Sequence, residues 1–346
     1  MNPFSLSFGK EPINAIRQDM QINEIVEGFT SENPAFQVCM ITGVRGSGKT
    51  VLMTEISNEI KKNKDWITVE LSPERDLIHA LTAELGHHRD LLQIFKEAKI
   101  NLSFLGFGLE IDTEPSVMDT SVALDRMLEQ LTKKDKKVLI TVDEAVPNAH
   151  VRVFASQFQI YMRKNYHVYL LMTGLYDKIH ELQNQDTLTF LYRAPKFPMS
   201  PLNSQLIAKQ YQQVFDISER EAAGMAGIVK GYPYAYQVLG YLCYKNRCGY
   251  DQVIEEFDAY LGEYVYDKIW AEMSEKDRRV AEALSKCENG RVREIREAAG
   301  MTSQEFSVYR DRMLRKGIMV SPVYGHLRFT LPRFERYVKR KTDYEY

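Results

Sequence analysis

Gly43-Val44-Arg45-Gly46-Ser47-Gly48-Lys49-Thr50 satisfies G-x-x-x-x-G-K-[ST], with the apolar run Phe36-Gln37-Val38-Cys39-Met40-Ile41-Thr42 before it and the helically spaced Val51-Leu52-Met53-Thr54-Glu55-Ile56-Ser57 after it. A buried strand, a glycine-rich turn and a helix start in that order make a phosphate-binding loop. Glycines let the backbone curl so that successive N–H groups point inward, and the helix dipole adds positive potential to the same concavity. The loop therefore assigns Gly43, Arg45, Gly46, Ser47, Gly48, Lys49, Thr50 and Val51 to the phosphates. Lys49 is expected to reach the β- and γ-phosphate oxygens and Thr50 to ligate Mg²⁺ through its hydroxyl, which favours a nucleoside triphosphate over a dinucleotide.

Working outward, 346 residues exceed one small core and predict two or three domains. The composition, 44% apolar and 27% charged, is that of an ordinary globular chain, and no apolar run is long enough to cross a bilayer. Met1-Asn2-Pro3-Phe4-Ser5-Leu6-Ser7 lacks the charged-then-apolar pattern of a secretory signal, so a cytoplasmic protein without membrane partners is expected. The four cysteines, Cys39, Cys243, Cys248 and Cys287, form no C-x-x-C pair and predict neither zinc nor disulfides. His87-His88 has no further spaced ligands and reads as a solvated helix end.

After the loop helix, Trp66 to Leu71 predicts a second strand, Arg75 to Lys96 one long helix, and Lys99 to Thr113 a hairpin. Asp119 to Lys133 has helical period. Lys136-Lys137-Val138-Leu139-Ile140-Thr141-Val142-Asp143-Glu144 is an apolar strand ending in two acids, expected beside the loop strand. Ala155 to Arg163 predicts a helix, Val168 to Gly174 another buried strand, and Lys196 to Met199 a short last one. Strand–helix alternation makes residues 1–202 an α/β domain with a parallel sheet, whose ligand belongs at the carboxyl ends of the strands.

From Asn203 the pattern is helical only, through Leu206 to Phe215, Ser218 to Val229 and Tyr234 to Lys245, broken at Gly231-Tyr232-Pro233. Residues 203–265 thus read as an all-α lid. Residues 266–346 change character again, with helices at Glu275 to Leu284, Val292 to Ala299 and Ser303 to Lys316, then strands at Ile318 to Tyr324 and Leu327 to Leu331. That order spells a winged helix-turn-helix.

Among residues able to carry chemistry, Asp143 can hold Mg²⁺ and Glu144 can orient or deprotonate an attacking water. Thr173, ending the next buried strand, fits either a hydrogen bond to the γ-phosphate or attacking water, or a helix N-cap. Arg193 fits either stabilisation of the transferring phosphoryl group or an ordinary solvated arginine. Charge separates the terminal module from the rest: between Met273 and Lys341 stand 17 Lys and Arg against 9 Asp and Glu, a net of +8, leaving 28 against 38 elsewhere. A basic module on an acidic body is expected to meet phosphates. In a winged helix the third helix would present Ser303, Gln304, Ser307 and Arg310 to double-stranded DNA, with Arg328 and His326 on the wing, while Phe306, Tyr309 and Met313 have core spacing. Winged helices also serve as protein-docking or lid-stabilising units, and that reading stays open.

The phosphate loop, Asp143-Glu144, Thr173, Arg193 before the last strand, Gly231-Tyr232-Pro233 and the terminal winged helix together resemble the AAA+ ATPases of the replication-initiator-like and archaeal ATPase group, to which the signal-transducing STAND ATPases are related. The resemblance spans nearly the whole chain. It implies a P-loop NTPase core with ATP and Mg²⁺ as ligands and slow hydrolysis to ADP. It also implies that Phe8, Pro12, Ile13 and Ile16 pack near adenine and that Pro233 meets the nucleotide from the lid. Two positions depart from the group: Ile16-Arg17 stands where a Gly-Arg pair is common, and Tyr234-Ala235-Tyr236 where many lids supply a sensor arginine. The expected function is a nucleotide switch that positions a winged helix on DNA, with Arg193 acting within the chain or across a self-association interface. The alternative is a STAND-like signalling switch whose winged helix meets protein. A small-molecule kinase is disfavoured because no acceptor-pocket motif accompanies the loop.

Overall fold

Every residue of Val38–Thr42 is buried, as is every residue of Val168–Gly174, and Lys137–Val142 is buried after its first residue. Strands buried on both faces require helices on both sides of the sheet. The computed structural model, which describes residues 2–7, 12–100, 120–185 and 188–344, supplies them. In chain order the first elements are α1 (Asp19–Thr30), β1 (Val38–Thr42), α2 (Lys49–Lys61), β2 (Trp66–Leu71), α3 (Leu77–His87), α4 (Leu92–Glu97), α5 (Thr120–Lys133), β3 (Lys137–Val142), α6 (Ala149–Arg163), β4 (Val168–Gly174), α7 (Tyr176–Gln183), α8 (Thr189–Tyr192) and β5 (Lys196–Pro198). Residues 19–42 and 52–198 form one compact unit, built on a five-stranded parallel sheet in the order β2-β3-β4-β1-β5.

Two expectations change. The strand that ends in Asp143 is not the neighbour of β1: β4 lies between them, with Ile41 paired to Thr173 on one side and Val142 to Met172 on the other. Both β3 and β4 are continuous apolar runs, so either suits the interior position, and only tertiary pairing decides the order. The expected helix from Arg75 to Lys96 is broken. It begins at the Asp76 N-cap, whose carboxylate accepts from the Ile78 and His79 amides, ends at extended His88, and resumes through a 3₁₀ turn at Arg89–Leu91. The buried Leu81 and Leu85 keep helical phase, but Leu91 falls out of it, and the break returns Leu91 and Phe95 to the core. Most of the Lys99 to Thr113 hairpin expectation lies outside the described residues.

Residues 1–18, 43–51 and 199–346 form the second unit. It contains α9 (Ser204–Phe215), α10 (Glu219–Val229), α11 (Pro233–Asn246), α12 (Ile254–Leu261), a π-helical turn at Gly262–Tyr266, α13 (Asp267–Ala271), α14 (Glu275–Lys286), α15 (Val292–Ala298), α16 (Ser303–Arg315), β6 (Met319–Val320), β7 (Arg328–Phe329) and α17 (Phe334–Tyr344). Ser218 with Glu221 and Ser274 with Asp277 form capping boxes that start α10 and α14. One apolar cluster runs from Phe4 through the α9–α11 helices to Phe306, Met313 and Val338. Phe4 lies on Gly240, where a Cβ would stand 2.5 Å from its ring. Helices α14 to α16 followed by the antiparallel β6–β7 pair stand in the order of a winged helix-turn-helix, with strands shorter than expected. The terminal helix α17, unanticipated from the sequence, packs on α14 and buries Phe334 and Val338.

Candidate nucleotide-binding site

The loop continues β1, and its glycines do what the spacing requires. Gly46 and Gly48 have φ of 70° and 87°, the left-handed region that an L side chain resists. A Cβ on Gly46 would also stand 2.4 Å from the Tyr232 hydroxyl. Lys49, the first residue of α2, is buried and donates from Nζ to the Gly43 and Val44 carbonyls, each at 3.0 Å. The loop's own carbonyls thus hold the ammonium at the mouth of the helix. Ser47 Oγ is buried and has no hydrogen-bond partner. A buried polar atom left unpaired costs free energy, so the cradle fits a polar occupant such as a phosphate oxygen.

Gly231-Tyr232-Pro233 closes onto the same loop. Gly231 has φ 73°, and a Cβ there would meet the Leu202 carbonyl at 2.7 Å. Pro233 opens α11 at the first helical position, where its missing N–H is harmless. The Pro233 Cγ lies 3.5 Å from where a Gly48 Cβ would be. The Tyr232 hydroxyl donates to the Arg45 carbonyl, and the Tyr234 amide to the Gly46 carbonyl at 3.2 Å. Burial pushes the Tyr232 phenol well above its ordinary range, so it stays a donor.

The winged-helix side reaches the loop too. Arg45 donates from Nε and Nη2 to Glu272 Oε1 at 3.2 and 2.7 Å, and Gly317, in the turn after α16, stands beside Val44. Glu272 caps the short helix that leads into α14. Nothing in the sequence pattern marked Glu272.

In the sheet unit, Asp143 and Glu144 form a turn at the end of β3. Glu144 is exposed and has φ 50°, and its N–H donates to Asp143 Oδ1 at 3.0 Å and to Thr173 Oγ1 at 3.2 Å. The Thr173 hydroxyl donates to Asp143 Oδ1, and its carbonyl accepts from Ala145 N at 2.7 Å. The N-cap reading for Thr173 is therefore displaced: Leu175 caps α7, without a side-chain bond, and Thr173 clamps the acidic turn. Arg193, at the end of α8, is exposed and in no ion pair among the described residues.

This set of elements can be compared with known folds. The chain superposes on the Walker-type ATPase of Pyrococcus abyssi with TM-score 0.65 and 13% identity, covering 94% of this chain and 96% of that one. It superposes on the ORC2 protein of Aeropyrum pernix, solved as ADPNP and ADP complexes, with TM-score 0.60 and 10% identity, covering 98% and 97%. The chain shares the fold of these two proteins. A family described as a domain of unknown function (DUF8462) matches residues 263–338, and no curated protein matches the chain in sequence. The matched segment begins within the π-helical turn, runs through α14–α16 and the β6–β7 pair into α17, and includes Glu272.

Pro12 and Ile16 are half-buried, Ile16 against the apolar cluster, whereas Ile13 is 78% exposed and Phe8 lies outside the described residues. Ser303 and Gln304 are exposed at the start of α16, with Ser303 Oγ accepting from Arg296 at 2.5 Å. Arg310 is half-buried and turned to Asp311 at 2.8 Å and Ser307 at 3.4 Å. Arg328 is exposed. Many of the module's cations are spent internally: Arg333 forks onto Asp258 (2.7 Å for Nη2–Oδ2), Arg340 pairs with Glu255 at 2.8 Å, Lys341 with Asp267 at 2.8 Å, and Arg312 with buried Asp277 at 2.6 Å. Among the described residues no helix is long and apolar enough to cross a membrane.

Proposed function

We propose that this chain is an ATP-binding, slowly hydrolysing switch in which occupancy of the phosphate loop sets the position of the winged helix. The observation that carries this reading is the Arg45–Glu272 pair, because it joins a loop residue to the segment entering the winged helix. Phosphate and Glu272 compete for one guanidinium, so nucleotide binding and winged-helix docking are linked. The backbone N–H groups of Gly43 to Val51 and Lys49 bind phosphate, and Pro233 orients the nucleotide from the lid. Thr50 and Asp143 are the oxygen donors for Mg²⁺, which when bound supplies charge stabilisation at the phosphates. Glu144 takes the proton of the attacking water, held in place by its N–H bonds to Asp143 and Thr173. Arg193, outside any ion pair among the described residues, steadies charge on the transferring phosphoryl group from within the chain or from a neighbouring copy. The solved ORC2 complexes with ADPNP and ADP support the nucleotide assignment by likeness of fold.

Glu272→Ala tests the linkage. The pair is 31% and 44% exposed, so it contributes about 0.2–1 kcal/mol. Removing the competitor should tighten ATP binding by roughly twofold to fivefold in calorimetric titration; weaker or unchanged binding contradicts the linkage.

The output of the switch is proposed to be duplex DNA, met through exposed cations outside the internal pairs. Among the described residues Arg279, Arg315, Arg328 and Lys339 are exposed and form no ion pair. Ser303, Gln304, Ser307 and Arg310 supply the helix face. About four phosphate contacts predict a shallow salt slope, roughly −4 in log K against log salt. The internal pairing of Arg312, Arg333, Arg340 and Lys341 favours a second reading, in which the winged helix meets protein or its own chain. Mobility shifts with duplex DNA from low to moderate salt separate the two: binding with the shallow slope supports DNA, and no binding at low salt assigns the module to protein contacts.

A further inference from the structure

Two peptide groups at the tip of the phosphate loop are held from the segment that opens α11. The Tyr232 hydroxyl donates to the Arg45 carbonyl, and the Tyr234 amide to the Gly46 carbonyl at 3.2 Å. Ser47 N–H closes the turn on the Val44 carbonyl at 3.3 Å, and Lys49 Nζ takes the Gly43 and Val44 carbonyls at 3.0 Å. All four carbonyls from Gly43 to Gly46 are thus engaged, while the Gly46 and Gly48 N–H groups make no hydrogen bond among the described residues. A trans peptide points its C=O and its N–H in opposite directions. Holding the Arg45 carbonyl on the Tyr232 hydroxyl therefore turns the Gly46 N–H to the other side of the loop. The contact needs glycine at 46, because a Cβ there would run into the same hydroxyl.

We infer that Tyr232 is a positioning residue for phosphate binding: its hydroxyl presets the Arg45–Gly46 peptide so that the Gly46 N–H faces the phosphate. Glycine populates φ of either sign, so an unrestrained peptide beside Gly46 turns readily between two orientations. One of them sets a carbonyl oxygen against a phosphate oxygen. Excluding that orientation in advance spares the ligand the cost of ordering the loop, which raises affinity without any contact between Tyr232 and the ligand. Lys49 cannot supply this restraint, because its two bonds go to the carbonyls before the Arg45–Gly46 peptide. Tyr234 holds the following peptide through its own backbone, so the side-chain contribution falls to Tyr232. The inference rests on the nucleotide-binding reading above and names a residue that prepares the loop for it.

Tyr232→Phe keeps the ring and removes the donor. Tyr211→Phe is the control, since it removes another buried tyrosine bond, from the Tyr211 hydroxyl to the Tyr236 carbonyl at 2.7 Å, that does not touch the loop. Wild type and both variants, as full chains, are titrated with ATP and with inorganic tripolyphosphate by calorimetry, with thermal unfolding and nucleotide-free amide exchange of residues 43–51 alongside. Tyr232→Phe is expected to bind both ligands about fivefold more weakly, by the same factor, and to exchange faster in the loop. Tyr211→Phe is expected to lose a similar amount of Tm while keeping wild-type affinity and loop exchange. Unchanged affinity in Tyr232→Phe, an ATP loss that tripolyphosphate does not share, or the same loss in Tyr211→Phe overturns the positioning role while leaving nucleotide binding intact. Wild-type protein that binds neither ATP nor tripolyphosphate overturns the nucleotide reading itself, and the role of Tyr232 with it.

Discussion

Lys49→Ala is expected to weaken ATP binding about 100-fold, equivalent to roughly 3 kcal/mol, as two charge-assisted hydrogen bonds to phosphate are lost. Lys49 Nζ rests on the Gly43 and Val44 carbonyls at 3.0 Å, so it is already at the helix mouth and needs only to exchange carbonyl for phosphate oxygens. The same geometry gives the variant a modest folding cost. Two half-buried carbonyls lose their donor but keep access to water, so Tm should fall by only a few degrees, roughly what 1 kcal/mol costs in a chain of this size. Calorimetric titration alongside thermal unfolding separates the effects; affinity within threefold of wild type would remove Lys49 from the phosphate site.

Glu144→Gln should slow ATP turnover by about 10²- to 10⁴-fold, the range for loss of a positioned general base, with ATP affinity retained. The backbone at Glu144 is costly to hold, with φ at 50°, and non-glycine residues in the left-handed region persist where the surroundings enforce them. Here Asp143 Oδ1 and Thr173 Oγ1 both accept its N–H. Glutamine retains that backbone geometry and the side-chain shape, so the variant isolates the proton-accepting step. Under single-turnover conditions it should accumulate bound ATP, and turnover equal to wild type would sink the assignment of Glu144 as base.

Local pattern revealed the strand–loop–helix around Gly43 to Thr50, the acidic end of β3 and the three helices before the wing, because each depends on residues near in sequence. Strand order did not: β3 and β4 have the same continuous apolar character, and their exchange leaves hydropathy unchanged. The net of +8 in the terminal module was legible as a count but not as a surface, since the partners of Arg333, Arg340 and Lys341 are Asp258, Glu255 and Asp267, in elements the sequence assigned elsewhere or not at all. Helix α17 was missed because its apolar residues, Phe334 and Val338, are outnumbered by charges and resemble a solvated tail. Arg45–Glu272 joins residues 227 positions apart, and periodicity carries no such pairing.

The linkage between loop and winged helix is tested most directly by amide hydrogen exchange across residues 263–338 with and without ATP and Mg²⁺, in wild type and in Lys49→Ala. Wild type should show altered exchange around Glu272 and Gly317 when nucleotide binds, and Lys49→Ala should show none at the same ATP concentration. Identical exchange throughout 263–338 in wild type at saturating ATP, with binding demonstrated in the same sample, would contradict the switch.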